Sequence, residues 1–132
     1  MTIELQSLLG AAFILFALLA VQGTLVPLAH GVRWGLGPRD EPRSPSVLQG
    51  RMNRIVANHL EGMAMFAPLV LVAHLAGVST PLTQSGAALF VISRALFAVV
   101  YAFGIPVLRS LVWGVSVAGL AMIGAEVARA GV

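Results

Sequence analysis

The sequence predicts an all-α fold, an integral membrane bundle of four transmembrane helices. Of its 132 residues, 58% are hydrophobic and only 10% are charged, and the mean hydropathy is +0.94. A soluble domain carries about 25% charged residues, so the surface of this protein cannot face water on all sides. Four long apolar stretches, separated by breaks that contain glycine and proline, are each long enough to cross a bilayer.

The first apolar stretch covers residues 5–28 and contains no charged side chain. At about 1.5 Å per residue, a helix of this length crosses a hydrocarbon core ~30 Å thick with some tilt. A secretory signal is a poorer interpretation, because Glu4 stands where such signals carry basic residues and the stretch is too long for one. We therefore expect the first transmembrane helix over residues 4–29.

A polar segment, residues 31–50, follows and holds four glycines and three prolines. This density of helix-breaking residues predicts a loop at the membrane surface, where the ring of Trp34 would lie among lipid headgroups. Three further helices are expected over residues 47–77, 82–103 and 107–128. Residues 1–132 then form a single transmembrane domain.

Positive charge is distributed unevenly along the chain. All eight basic residues are arginine, and five of them precede or open the second long helix: Arg33, Arg39, Arg43, Arg51 and Arg54. The turn between the second and third helices carries no charge, so the positive-inside rule places the Arg-rich side in the cytoplasm and both termini outside. Arginine-only basic usage and short loops favour a bacterial protein, hence an inner-membrane location.

Composition also excludes several classes of function. The chain has no cysteine, so it offers neither a disulfide framework nor a protein thiol. Its net charge of +3 is small, and a nucleic-acid partner is not expected. The three histidines do not stand at metal-ligand spacing, so no metal site is expected.

One stripe of polar side chains runs along the start of the second long helix. At about 100° per residue its members fall within an arc of roughly 80°: Arg51, Arg54, Asn58 and Glu61. On the third helix Arg94 and Tyr101 are seven residues apart and share a face. Arg94 lies deep in its span, where a charge costs a few kcal/mol unless it is paired. A Glu61–Arg94 ion pair that fixes helix packing and a shared ligand site both explain this arrangement.

Arg109 and Ser110 open the fourth helix on the same side of the membrane, with Trp113 one turn further on. The arginines suit carboxylates, Glu61 suits an ammonium group, and Asn58 suits an amide. Glutathione has two carboxylates, one amine, two peptide bonds and the thiol that the protein lacks. The apolar helix faces beside this site suit a lipophilic small-molecule substrate dissolved in the lipid bilayer.

The chain resembles the MAPEG family (membrane-associated proteins in eicosanoid and glutathione metabolism) in three motifs that occur in order. They are Arg51-x-x-Arg54-x-x-x-Asn58-x-x-Glu61, Arg94 with Tyr101, and Arg109-Ser110. The resemblance implies a homotrimer with a glutathione site between neighbouring subunits near the cytoplasmic face. It also implies a glutathione-dependent transferase or peroxidase that acts on lipophilic electrophiles.

The resemblance further implies roles for individual residues. Arg54, Asn58 and Glu61 would bind the glutathione backbone, with Arg51 and Tyr101 beside them. Arg109 would stabilise the thiolate, and Ser110 would donate a hydrogen bond to sulfur. We expect Arg94 to line the same site.

Some features differ from the family pattern. Gly62 stands where some members have tyrosine, and the fourth helix is more apolar than in some members, which disfavours eicosanoid synthesis. Two other functions stay open: a membrane protein that binds glutathione or another anion without turnover, and a small four-helix transporter. The transporter is the weaker alternative because such proteins hold a carboxylate within the first span.

Overall fold

The computed structural model describes residues 1–131, which form helices and connecting segments and no strand. The elements in chain order are α1 (Ile3–His30), α2 (Val32–Leu36), α3 (Val47–Leu75), α4 (Pro81–Ala102) and α5 (Pro106–Arg129). The four helices α1, α3, α4 and α5 are long and apolar enough to cross a membrane. The predicted all-α fold with four membrane-spanning helices is confirmed.

The starts of the helices follow from local sequence. Ser46 caps α3 in a capping box, in which its hydroxyl accepts from the Gln49 amide (3.2 Å) and the Gln49 side chain accepts from the Ser46 amide (2.8 Å). Thr80 and Thr83 form the same arrangement before α4. Both α4 and α5 begin with proline, which has no N–H to leave unsatisfied in the first turn.

The segment expected to be an irregular loop contains one helical turn, α2, and this part of the prediction was wrong. Gly31 has a φ of 87°, which ends α1 and allows the chain to reverse. Gly35 then packs against Pro27 of α1, and a Cβ at Gly35 would lie 3.2 Å from the Pro27 Cα. The turn therefore depends on a tertiary contact that requires glycine, which local composition does not reveal.

The bundle core lies between all four membrane-spanning helices, since the buried Ala11 of α1 packs in the same cluster as apolar residues of α3, α4 and α5. The rings of Phe66 and Phe90 stack with centroids 4.0 Å apart and are both fully buried. The backbones of α4 and α5 approach closely, and a Cβ at Gly86 would lie 2.7 Å from the carbonyl oxygen of Gly119. Small residues allow membrane helices to pack this closely.

The two ends of the bundle carry different polar groups. At one end the buried Glu4 accepts hydrogen bonds from Thr83 (2.5 Å) and Ser79 (3.1 Å), which ties α1 to the start of α4. At the other end, which we call the arginine end, the end of α4 meets the start of α3, because Arg51 donates to the Ala102 carbonyl at 3.0 Å. The candidate site residues lie on the arginine-end half of the bundle. Its assignment to the cytoplasmic side stays a prediction.

Candidate functional site

A single groove on α3, α4 and α5 brings together the residues that the sequence singled out. It has three recesses of about 170, 360 and 180 Å³, which we call outer, middle and inner. The outer and middle recesses share Tyr101 and Arg109, while the middle and inner recesses share Asn58 and Trp113. The predicted site residues that line the groove are Arg51, Arg54, Asn58, Glu61, Arg94, Tyr101, Arg109 and Ser110.

The outer recess is strongly cationic. Arg51, Arg54 and Arg109 line it, and no carboxylate of the described residues does. Arg51 is held in place because its Nη1 donates to the last turn of α4, where carbonyl groups lack helical partners. Gly104 makes room for this side chain, since a Cβ there would lie 2.6 Å from the Arg51 Nη2.

Tyr101 joins the three helices that form the groove. Its hydroxyl accepts a hydrogen bond from the Arg54 Nε of α3 at 2.8 Å. The guanidinium of Arg109, from α5, lies 4.8 Å from the centroid of its ring, within the range of a cation–π interaction. Tyr101 therefore fixes the position of two cations relative to each other.

The inner recess contains buried polar atoms that lack partners. Arg94 is 2% exposed, and neither its Nε nor its Nη2 has a hydrogen-bond partner. The Asn58 Oδ1 in the same recess is also buried and unpartnered. Buried polar groups in proteins are nearly always hydrogen-bonded, so donors and an acceptor left free here favour a polar ligand or ordered water.

Glu61 and Arg94 line the inner recess together but form no direct ion pair. No nitrogen of Arg94 lies within 4.0 Å of a Glu61 oxygen, and within residues 1–131 the one ion pair joins Arg129 and Glu126. Arg94 instead packs over the Phe97 ring, with its Cζ 5.0 Å from the centroid. The ion pair that would fix helix packing is therefore not formed. Both side chains line the inner recess, as the interpretation of a shared ligand site requires.

Gly62 explains how α3 packs against this recess. A Cβ at Gly62 would lie 3.3 Å from the Phe90 Cζ and 3.5 Å from the Arg94 Cζ. A large side chain at this position would displace the ring or the guanidinium. The glycine that differs from some members of the family pattern thus has a packing reason in this chain.

Ser110 and Trp113 border the middle recess. The Ser110 hydroxyl donates to the Pro106 carbonyl at 3.3 Å and is exposed, so it must rotate before it can donate to another acceptor in the groove. Trp113 forms a wall between the middle and inner recesses and is 47% exposed. The Ser116 hydroxyl, one turn later, donates to the Trp113 carbonyl at 2.7 Å.

Sequence reasoning missed three contributors to the groove. In the sequence, Gly104 is one of the glycines in the breaks between apolar stretches and Gly62 differs from the family pattern, and neither position is predicted to border the site. Ser116 carries a weak signal, because it follows Trp113 by three residues and so shares its face. Neither glycine's role is visible without the distance to a residue on another helix.

Comparison with known proteins agrees with the fold and the motifs. A family model described as the MAPEG family matches residues 7–128. No curated protein and no solved structure gives a significant match. The match covers nearly the whole chain and all four membrane-spanning helices, and it supports a membrane protein of glutathione or eicosanoid metabolism in general. The chain belongs to the MAPEG family.

Proposed function

We propose that the protein is a glutathione-dependent membrane enzyme that conjugates lipophilic electrophiles or reduces lipophilic peroxides. The observation that carries this proposal is the inner recess, where buried polar atoms of Arg94 and Asn58 lack partners. Leaving such atoms without a hydrogen bond costs free energy inside a membrane-spanning bundle, and a polar ligand that displaces ordered water would satisfy them.

The order of charges along the groove matches the order of groups in glutathione. The inner recess offers Arg94 and Glu61, a cation and an anion that suit the carboxylate and ammonium of the γ-glutamyl end. The outer recess offers Arg51 and Arg54, which suit the glycine carboxylate. The cysteine lies between these ends in the tripeptide, so its thiol would lie in the middle recess beside Arg109.

Arg109 would activate the thiol of glutathione. A guanidinium next to a thiol favours the thiolate, which is the nucleophilic form. The thiol proton leaves to water, the sulfur attacks the electrophilic carbon, and the leaving group departs with the bonding electron pair. With a peroxide, sulfur attacks oxygen to give a sulfenic acid and, after protonation, an alcohol, and a second glutathione converts the sulfenic acid to a disulfide and water.

The open side of the groove supports an oligomer. Arg54 and Glu61 are exposed in the single chain although they belong to a membrane-spanning helix. Charges in contact with lipid are costly, so a second copy of the chain together with the ligand would cover them. This agrees with the homotrimer that the family resemblance implies.

Glutathione titration of detergent-purified protein, monitored by thiolate absorbance, tests the proposal. We expect wild-type protein to bind glutathione and produce thiolate near neutral pH. Arg109→Ala should bind glutathione but lose the thiolate signal and the consumption of a generic electrophile. Arg129→Ala is the control, because Arg129 is exposed and pairs with Glu126 at the other end of α5.

Two results would contradict parts of the proposal. Absence of glutathione binding by the wild type would refute it entirely. Binding with a thiolate signal, but without consumption of any electrophile or peroxide, would instead favour the alternative of a binding protein without turnover.

A further inference from the structure

A second polar cavity lies outside the groove, in the connection between α1 and α3. It has a volume of about 540 Å³ and shares no lining residue with the three recesses. We call it the loop pocket. Its charged lining residues are Arg33, Arg39, Asp40, Glu41 and Arg43.

The loop pocket is built around the Trp34 side chain. The indole Nε1 donates to the Glu41 carbonyl at 3.1 Å, and the guanidinium carbons of Arg43 and Arg39 lie 5.3 and 5.8 Å from the centroid of the ring. Arg39 also donates twice to the Gly35 carbonyl, at 3.0 and 2.6 Å. These contacts give the loop a defined shape without using all the N–H groups of either arginine.

Arg39 adopts an uncommon backbone conformation, with a φ of 59°. A residue other than glycine is strained in this region, and such strain concentrates at functional sites. The two hydrogen bonds to Gly35 hold the residue in place and keep its guanidinium at the pocket.

Charges of both signs face the loop pocket without neutralising each other. No arginine nitrogen there lies within 4.0 Å of a carboxylate oxygen, since the one ion pair of residues 1–131 lies elsewhere. Arg33 makes no side-chain hydrogen bond to the described residues, and the carboxylates of Asp40 and Glu41 accept none from them. The pocket thus presents separate donors and acceptors to a ligand that carries both charges.

Exposed apolar side chains that suit lipid flank the pocket-lining residues in the sequence. Val32 and Leu36 lie four residues apart on α2, hence on one face, and are 64% and 84% exposed. Leu28 at the end of α1 is 80% exposed. None of the three lines the pocket, whereas Arg33 and Trp34 between them do. An amphiphilic ligand could place its polar group in the pocket and its hydrocarbon along these side chains.

We propose that the loop pocket binds the headgroup of an aminophospholipid. Its phosphodiester would be held by the arginines, which match phosphate geometry, and its primary ammonium by Asp40 and Glu41. A quaternary ammonium has no N–H to donate, so a choline headgroup would lose this second contact. The same phosphate–ammonium chemistry occurs in water-soluble glycerophosphoethanolamine, but that compound has no hydrocarbon for Leu28, Val32 and Leu36.

Native mass spectrometry of the full-length protein in detergent can test this directly. The protein is titrated with phosphatidylethanolamine, phosphatidylcholine and phosphatidylglycerol of identical acyl chains, and separately with glycerophosphoethanolamine. We expect phosphatidylethanolamine to bind at least about tenfold more tightly than phosphatidylcholine, the value of one hydrogen bond to a charged group at the low end of its range. Glycerophosphoethanolamine should bind far more weakly than the phospholipid.

Two variants test the phosphodiester contact and the ammonium contact separately. Arg33→Gln should weaken both phospholipids, while Asp40→Asn combined with Glu41→Gln should remove the preference for phosphatidylethanolamine over phosphatidylcholine. These side chains make no hydrogen bond within residues 1–131, so the fold should survive, which thermal unfolding verifies. Arg129→Gln is the control for loss of one positive charge, because Arg129 is exposed and does not line the pocket.

The proposal makes no use of the glutathione groove, so Arg109→Ala should keep the lipid preference even if glutathione chemistry fails. Equal binding of phosphatidylethanolamine and phosphatidylcholine would overturn the proposal. Tighter binding of phosphatidylglycerol would also overturn it, because the carboxylates would then have no role. Equally tight binding of glycerophosphoethanolamine would reject the membrane lipid as the ligand.

Discussion

Arg54 and Tyr101 are joined by a hydrogen bond of 2.8 Å that links α3 to α4 across the groove. The ring of Tyr101 also lies 4.8 Å from the Arg109 guanidinium. Tyr101 thus holds the Arg54 guanidinium through its hydroxyl and the Arg109 guanidinium through its ring. The spacing of the two cations, on which carboxylate and thiolate binding would both depend, is therefore set by a neutral residue between them.

Replacement of Tyr101 by phenylalanine separates its two roles. Tyr101→Phe keeps the ring beneath Arg109 and removes the hydrogen bond to Arg54, so we expect glutathione affinity to fall about three- to tenfold while the thiolate signal of bound glutathione persists. Tyr101→Leu removes the ring as well as the hydroxyl, so both the glutathione affinity and the thiolate signal should fall. Isothermal titration and thiolate absorbance measure the two effects, and equal losses in both variants would contradict separate roles.

Substitution of Arg94 should preserve or raise the thermal stability of the ligand-free protein but remove the stabilisation that glutathione gives. Because its Nε and Nη2 are unpartnered and Glu61 is not paired with it, Arg94→Met removes a buried charge without leaving another unpaired. We expect the thermal stability of the ligand-free protein to stay equal or rise, and the stabilisation by glutathione to disappear. A large loss of stability without ligand would show that Arg94 acts in packing instead.

The helices and the polar stripe could be predicted because both depend on periodicity along the chain. Apolar length identifies α1, α3, α4 and α5, and about 100° per residue places Arg51 and Glu61 on one face. These properties need no knowledge of other helices. The same arithmetic places Arg94 and Tyr101 on one face of α4, where they line different recesses of the groove.

What could not be predicted depends on distances between elements. The α2 turn requires the contact of Gly35 with Pro27, and the position of Arg51 requires the space left by Gly104. Similar depth in the membrane made an ion pair of Glu61 with Arg94 plausible, yet no nitrogen of Arg94 lies within 4.0 Å of a Glu61 oxygen. A single sequence gives the depth of a residue in the membrane and the face of the helix on which it lies. It does not give the distance between two side chains on different helices.

Gly104 should be needed both for its backbone conformation and for the space beside Arg51. Its φ is 75°, so Gly104→Ala costs about 1–2 kcal/mol of stability from backbone strain alone. The added Cβ would also displace Arg51, which should lower glutathione affinity. Gly77→Ala is a matched control, because Gly77 has a φ of 70° and nothing within 4 Å of its Cβ position.

The comparison of these two alanine variants uses thermal unfolding in detergent and glutathione titration. We expect similar losses of stability, because the backbone strain is similar, and a loss of affinity in Gly104→Ala only. An affinity loss of the same size in Gly77→Ala would mean that strain, and not the position of Arg51, governs binding.

The contact of Gly86 with Gly119 should limit the packing of α4 against α5. A Cβ at Gly119 would lie 2.5 Å from the Gly86 carbonyl oxygen, which is backbone and cannot rotate away. Gly119→Ala should therefore separate the helices and destabilise the protein by about 1–3 kcal/mol, as overpacking does in other cores. Gly114→Ala on the same helix meets nothing within 4 Å and should be neutral or stabilising, because alanine favours helix more than glycine does. Thermal unfolding of both variants measures the difference, and equal stability of the two would show that the α4–α5 contact yields without cost.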